Sequence, residues 1–233
     1  IKHFIKVKKG KSNMKKVLKQ ILTFSLIFIM VLSGLPVQAA NSESSLTKQI
    51  VTLYPGKSNK ITLFNSRYLN LGNIDTRNNS VSVTVRNPAI AKVEANNSGV
   101  FAYPKKVGKT LVTVKAGNIT RKCALTVKEY VNPVASVKVG NTTISGKKFD
   151  TDPYRVISYS KFANKKAKVT FNLKKGWSFQ YDAISYFQKT WQKSEDVKNG
   201  SIVPIKGGSG FQIMTAVVND KTGQVEHLLL WFK

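Results

Sequence analysis

Ser80-Val81-Ser82-Val83-Thr84-Val85 and, further on, Thr110-Leu111-Val112-Thr113-Val114-Lys115 decide the fold. In the first run Val81, Val83 and Val85 alternate with small polar residues. Period-two alternation puts these valines on one face of a strand and the polar residues on the other. Around these runs lie further short candidates bounded by Gly, Asn and Pro: Gln49–Tyr54, Lys60–Phe64 after the turn Pro55-Gly56-Lys57-Ser58, Ile90–Val93, and Gly99–Tyr103. Residues 119–128 pair with 110–115 across Ala116-Gly117-Asn118. Helical periodicity is nearly absent after residue 40, so the pattern argues for antiparallel sheet. Seven strands in about eighty residues is the count of a small sandwich.

The run Asn87-Pro88-Ala89-Ile90-Ala91-Lys92-Val93 is followed by Ser98-Gly99-Val100-Phe101-Ala102, then Val107-Gly108-Lys109-Thr110-Leu111-Val112-Thr113-Val114 and Cys123-Ala124-Leu125-Thr126-Val127. In this order residues 46–129 resemble a bacterial Ig-like domain of the group 2 type. The spacing of Gly99 and Gly108 carries most of the likeness, because glycine enters turn conformations barred to other residues. The chain departs from that family where a Trp often stands, with Val83-Thr84-Val85 in its place. The resemblance implies a β-sandwich with an adhesion-type or spacer role.

Residues 130–134, with Asn132-Pro133, read as a linker, since proline fixes its own φ and biases its neighbour towards extended geometry. Residues 135–233 form a second β segment, weakly resembling another Ig-like sandwich. Its candidate strands are Ala135–Val139, Tyr154–Ser158, Lys168–Asn172, Ser178–Tyr181 with Ile184–Phe187, Ser201–Ile205, Phe211–Asn219 and Gln224–Phe232. Asn219-Asp220-Lys221-Thr222-Gly223 is a hairpin turn between the last two. The expected architecture is all-β, with two tandem Ig-like β-sandwich domains after a cleaved signal peptide.

That leader is read at residues 14–40. Met14-Lys15-Lys16 and Lys19 precede an uncharged run from Ile21 to Leu32, closed by Val37-Gln38-Ala39-Ala40. A basic start, a short apolar stretch and small residues at the end define a secretory signal, and the run is too short for a membrane anchor. Residues 1–13 stand upstream of the first Met and look like an over-extended reading frame. No lipobox cysteine follows Gly34, and no sorting motif closes the chain, so the expected location is extracellular or non-covalently surface-associated, with Gram-positive character. The whole sequence carries a net charge of +27. Removing residues 1–40 takes away eight lysines and no acid, leaving 30 basic and 11 acidic residues, or +19. Such an excess favours anionic partners, unless it serves only solubility.

The chemistry of catalysis is sparse. His227 is the one histidine after the leader, and alternation sets it with Val225, Leu229 and Trp231 at the edge of a core. Asp150, Asp152 and Asp182 could in principle pair as general acid and base, but nothing in the spacing separates them from turn residues, and Asp150-Thr151-Asp152-Pro153 is ordinary turn chemistry. Cys123 shares a face with Leu125 and Val127 and reads as a small buried hydrophobe; alone, it forms no intramolecular disulfide. Gly207-Gly208-Ser209-Gly210 reads as a connector rather than a phosphate loop. No catalytic residue, cofactor or metal site is expected. The aromatics of 177–191 are the most suggestive feature. Trp177, Phe179 and Tyr181 are expected to point inward, whereas Tyr186 and Trp191, with Lys189 and Lys193, form the candidate ligand-binding surface. The leading reading is a non-enzymatic surface interaction module, whose partner is another surface protein or an anionic wall polymer or glycan and not nucleic acid. The alternative is a polysaccharide- or wall-polymer-binding module using the 177–191 strip.

Overall fold

The computed structural model describes residues 46–55, 67–181, 184–187 and 194–233, all within a compact unit that spans Ser44–Lys233. The leader at 14–40, residues 1–13, the strand expected at Lys60–Phe64, most of the turn before it, and Asp182 lie outside the described residues.

The first sandwich holds β1 (Leu46–Leu53), β2 (Arg67–Tyr68), β3 (Val81–Val85), β4 (Ala91–Asn96), β5 (Gly99–Pro104), β6 (Gly108–Ala116) and β7 (Ile119–Glu129). They form a four-stranded sheet in the order β1-β7-β6-β3 and a three-stranded sheet in the order β2-β5-β4. Inward residues alternate as the sequence dictates: Val112, Val114, Cys123, Leu125 and Val127 meet Val93, Val100 and Ala102 in one core. Gly117 closes the β6–β7 hairpin at φ +56°, so that Ala116 pairs with Ile119.

Gly99 and Gly108, the two glycines that mark the family likeness, have φ of +131° and +152°. A Cβ at Gly99 would stand 2.4 Å from the Tyr68 ring, and one at Gly108 2.5 Å from Ile90. Each glycine therefore serves both its turn and the close approach of a neighbour.

The second sandwich holds β8 (Val134–Val139), β9 (Thr142–Ser145), β10 (Tyr154–Ile157), β11 (Lys165–Leu173), β12 (Trp177–Phe179), β13 (Ile184–Phe187), β14 (Ser194–Val197), β15 (Ile202–Ile205), β16 (Phe211–Asn219) and β17 (Val225–Phe232). One sheet runs β15-β11-β8-β9; the other runs β10-β17-β16-β13-β14, with β12 also on β16. Phe149, Phe171, Phe211, Ile213, Leu230 and Phe232 are the bulk of the core between them. The β16–β17 hairpin closes as expected, with Gly223 at φ +69° and its N–H donating to the Asn219 carbonyl at 2.8 Å. The fold is all-β, two tandem sandwiches, with no α-helix among the described residues.

Two pairings correct the antiparallel expectation. β1 runs parallel to β7, and β10 runs parallel to β17. Alternation reports which face a residue occupies and is blind to strand direction. The segment around Pro133 is also more than a spacer. Asn132 and Pro133 are buried, and the Asn132 amide donates to Gly146 O at 2.9 Å and Asp150 Oδ1 at 2.6 Å.

Candidate functional site

A buried polar cluster lies where the two sandwiches meet. Along β17 the residues of inward parity are Glu226, Leu228, Leu230 and Phe232, and Gln224 precedes them on the same side. The last three fill the second core. Gln224 and Glu226 reach the end of the sandwich, where β1 and the residues after it cover them; Glu226 is completely buried. Glu226 Oε1 accepts from the Thr52 hydroxyl at 2.5 Å and from Gln224 Nε2 at 3.0 Å, and Oε2 accepts from the Tyr54 hydroxyl at 2.6 Å. Gln224 Nε2 also donates to the Glu129 carbonyl at 3.0 Å. Arg67 donates to the Tyr54 oxygen and lies 5.2 Å from that ring's centroid. Tyr130 packs its ring 5.2 Å from that of Tyr54 and donates its hydroxyl to Phe149 O at 2.8 Å.

Electrostatics follow from this enclosure. Burial is the main cause that pushes the Glu226 carboxyl above its ordinary range, against hydrogen bonds from Thr52 and Tyr54 that favour the ion. Burial and the neighbouring Glu226 charge push the Tyr54 phenol well up. His227, on the opposite side of β17, keeps part of its surface in solvent, yet desolvation and the Arg67 charge bring its imidazole down to about 4. This cluster is a clamp: three acceptor and donor chains from the second sandwich end on Thr52, Tyr54 and Glu129 of the first. Sequence reasoning singled out His227 and passed over Glu226. The signal was an acid at inward parity beside three apolar residues.

The 177–191 aromatics are divided by the structure. Trp177 is buried and Phe179 packs against the same core. Tyr181, expected inward, is exposed, because β12 ends at Phe179 and the alternation stops there. The Tyr186 ring is buried, 5.8 Å from Phe211, and its hydroxyl donates to Glu195. A ring so placed offers no face for stacking. Lys189, Trp191 and Lys193 lie outside the described residues. Asp152 caps Tyr154 N at 3.0 Å and pairs with Arg155 at 3.0 Å, which is turn chemistry. Cys123 is buried, and burial pushes its thiol up.

One aromatic group escaped the sequence reading. On the outer face of β2-β5-β4, Tyr68 and Phe101 meet edge to face at 5.8 Å, and Lys92 stands 5.8 Å from the Tyr103 ring centroid. The alternation of Phe101 and Tyr103 with the buried Val100 and Ala102 carried that signal.

No protein-family model matches the chain, and neither does any curated protein. Among solved structures, it is similar to domains 4–9 of the surface layer protein SbsC, at 16% identity over 85% of this chain, with a TM-score of 0.28. It spans about a third (32%) of that fragment's length. The tandem Ig repeats of Dlar are similar at 14% identity, covering 66% of this chain and 82% of that one, with a TM-score of 0.31. Chicken VE-cadherin EC1-2 is similar at 10% identity, over 82% of this chain and all of the other, with a TM-score of 0.25. Likeness at this level carries no argument about partners or activity, and the fold rests on the chain's own sheets.

Proposed function

We propose that this protein is an exported, non-enzymatic interaction module of the adhesion or spacer kind, built on Ig-like sandwiches and working outside the cell or at its surface. The observation that carries this reading is the clamp around Glu226, which joins the two sandwiches into a scaffold able to present its faces in fixed relation. The charge of +19 after the leader and the group 2 resemblance of residues 46–129 accord with such a role. Expression of the full tagged chain in a Gram-positive host tests it. The expected result is a shortened product, cut after Ala39 or Ala40, in the medium or wall fraction and able to coat intact cells. Uncut chain retained in the cytoplasm would overturn the reading.

A second reading is glycan binding. Tyr186 is withdrawn from it by burial, whereas the half-exposed Tyr68, Phe101 and Tyr103 of the three-stranded sheet present rings beside Lys92 and favour it at a different place.

A further inference from the structure

The two sheets of the first sandwich have unlike outer faces. On β2-β5-β4, Lys92 is paired with Glu94. On β1-β7-β6-β3 the outward residues are those that alternate with the core positions Val51, Val112, Val114, Cys123, Leu125 and Val127. Five of them are lysines: Lys48 on β1, Lys122 and Lys128 on β7, Lys109 and Lys115 on β6. Between them stand hydroxyls (Ser82, Thr84, Thr113, Thr120, Thr126) and a low aliphatic strip of Ile50, Ala124 and Leu111. Among the described residues no Asp or Glu holds an outward position on this face; Glu129 ends β7 at the opposite parity, and Glu226 is buried against Thr52. The ion pairs Lys92–Glu94 and Arg155–Asp152 lie elsewhere.

The ladder fixes where these charges fall. Lys115 pairs with Thr120, Lys122 with Leu46, and Lys48 with Ala124, so Lys115, Lys122 and Lys48 form a diagonal across three strands. Lys109 pairs with Thr126 and stands diagonal to Lys128. Diagonal neighbours across an antiparallel pair are about 7–8 Å apart, which is the step from Lys115 to Lys122 and from Lys109 to Lys128, with hydroxyl donors between the cations. Like charges at this spacing repel one another, a cost that an anionic partner removes. The β15-β11-β8-β9 sheet repeats the composition on a smaller scale, with Lys138, Lys166 and Lys168 beside Ser136, Thr170 and Asn172.

We propose that the outer face of β1-β7-β6-β3 is the docking surface for a linear, flexible polymer of polyol phosphodiesters, of the kind found in cell walls. This rests on the exported-module reading above and names its partner. A flexible chain with a phosphate on each short polyol unit can follow the diagonals, placing phosphates on the ammonium groups and its methylenes over Ala124 and Leu111. A DNA duplex presents its phosphates on a stiff cylinder and meets a sheet face along one ridge only. A lipid surface is gripped by protruding apolar and aromatic side chains, whereas Ala124 and Leu111 sit half-buried among longer lysines.

The test is binding of the full secreted chain to polyglycerol phosphate, with duplex DNA and phosphatidylglycerol vesicles as competitors, across a salt series. The variant Lys109→Gln/Lys115→Gln/Lys122→Gln is expected to bind polyglycerol phosphate roughly tenfold or more weakly at low salt, with a shallower salt slope. Lys161→Gln/Lys174→Gln/Lys175→Gln removes the same charge from positions outside the strands and should change affinity less than about twofold if the face, not net charge, binds. Replacing Lys109, Lys115 and Lys122 by Arg should restore binding, which separates a lost contact from a damaged fold. Equal losses in the two Gln variants would overturn the assignment to this face. Tighter binding to DNA or vesicles than to polyglycerol phosphate would overturn the partner. If wild-type chain ignores the polymer yet coats cells, this inference falls and the functional reading stands.

Discussion

Apart from the hydroxyls of Thr110 and Thr215, the buried residues inside each sandwich are mainly aliphatic or aromatic, with Val112, Leu125 and Val127 in the first and Phe211, Leu230 and Phe232 in the second. At the junction they are Thr52, Gln224 and Glu226, all buried and all polar. The cores gain stability from area removed from water, which is insensitive to direction. The junction gains little net energy, because desolvating a carboxylate offsets most of its hydrogen bonds. What the clamp supplies is orientation: each acceptor lobe of Glu226 is met by one donor from the first sandwich, and any other docking leaves an acid buried without those partners. Apolar packing therefore holds each sandwich, and polar geometry sets how one sits on the other.

This contrast is open to attack at three points. The largest effect is expected from Phe232→Ala, which empties a site between Phe211 and Phe162, whose ring centroids lie 5.4 and 5.7 Å away. It should cost about 3–5 kcal/mol and melt the second sandwich first, as followed by thermal or denaturant unfolding. Glu226→Ala should cost less, about 1–3 kcal/mol, since it strands the hydroxyls and amide that now point at the carboxylate. Its signature is different: both sandwiches stay folded while the segment between Glu129 and Val134 becomes open to protease. If Glu226→Ala unfolds the chain as far as Phe232→Ala does, the division of labour is wrong.

The smallest effect is in the pH dependence, where two neighbours on opposite sides of β17 oppose each other. The folded state depresses the His227 pKa from 6.5 to about 4, so its contribution is complete above pH 6.5 and is lost as pH falls towards 4. The Glu226 pKa is raised from 4.5, so the folded state binds that proton more tightly, and stability from it declines as pH rises above 4.5. In His227→Gln, acidification from pH 6.5 to 4.5 should raise Tm; in Glu226→Gln it should lower it. Parallel profiles for the two variants would show that neither group titrates as its surroundings dictate.

Much of the strand layout is legible without coordinates. Ile184–Phe187 and Phe211–Asn219 coincide with β13 and β16 residue for residue, since each is an apolar-rich run flanked by polar or glycine residues. Arg67–Tyr68, Thr142–Ser145 and Ser194–Val197 escaped notice for the converse reason: they are short and largely polar, and a neighbour's ladder makes them strands. The junction was half legible. Parity marks Glu226 as inward, but Thr52 and Tyr54, which meet it, are more than 170 positions away along the chain. The lysine face has the same character. Each lysine is visibly outward on its own strand, whereas the diagonal exists only once β1, β7 and β6 lie side by side.

The parallel pairing of β1 with β7 has a mechanical meaning. From Leu46 against Lys122 to Leu53 against Glu129, the sandwich's first strand lies alongside its last over eight paired positions. Because the two run in the same direction, a pull applied at Leu46 and at Glu129 acts along the ladder and loads its hydrogen bonds together in shear, instead of opening them one by one. A scaffold connected in this way resists stretching most strongly along the line in which the chain itself would transmit tension.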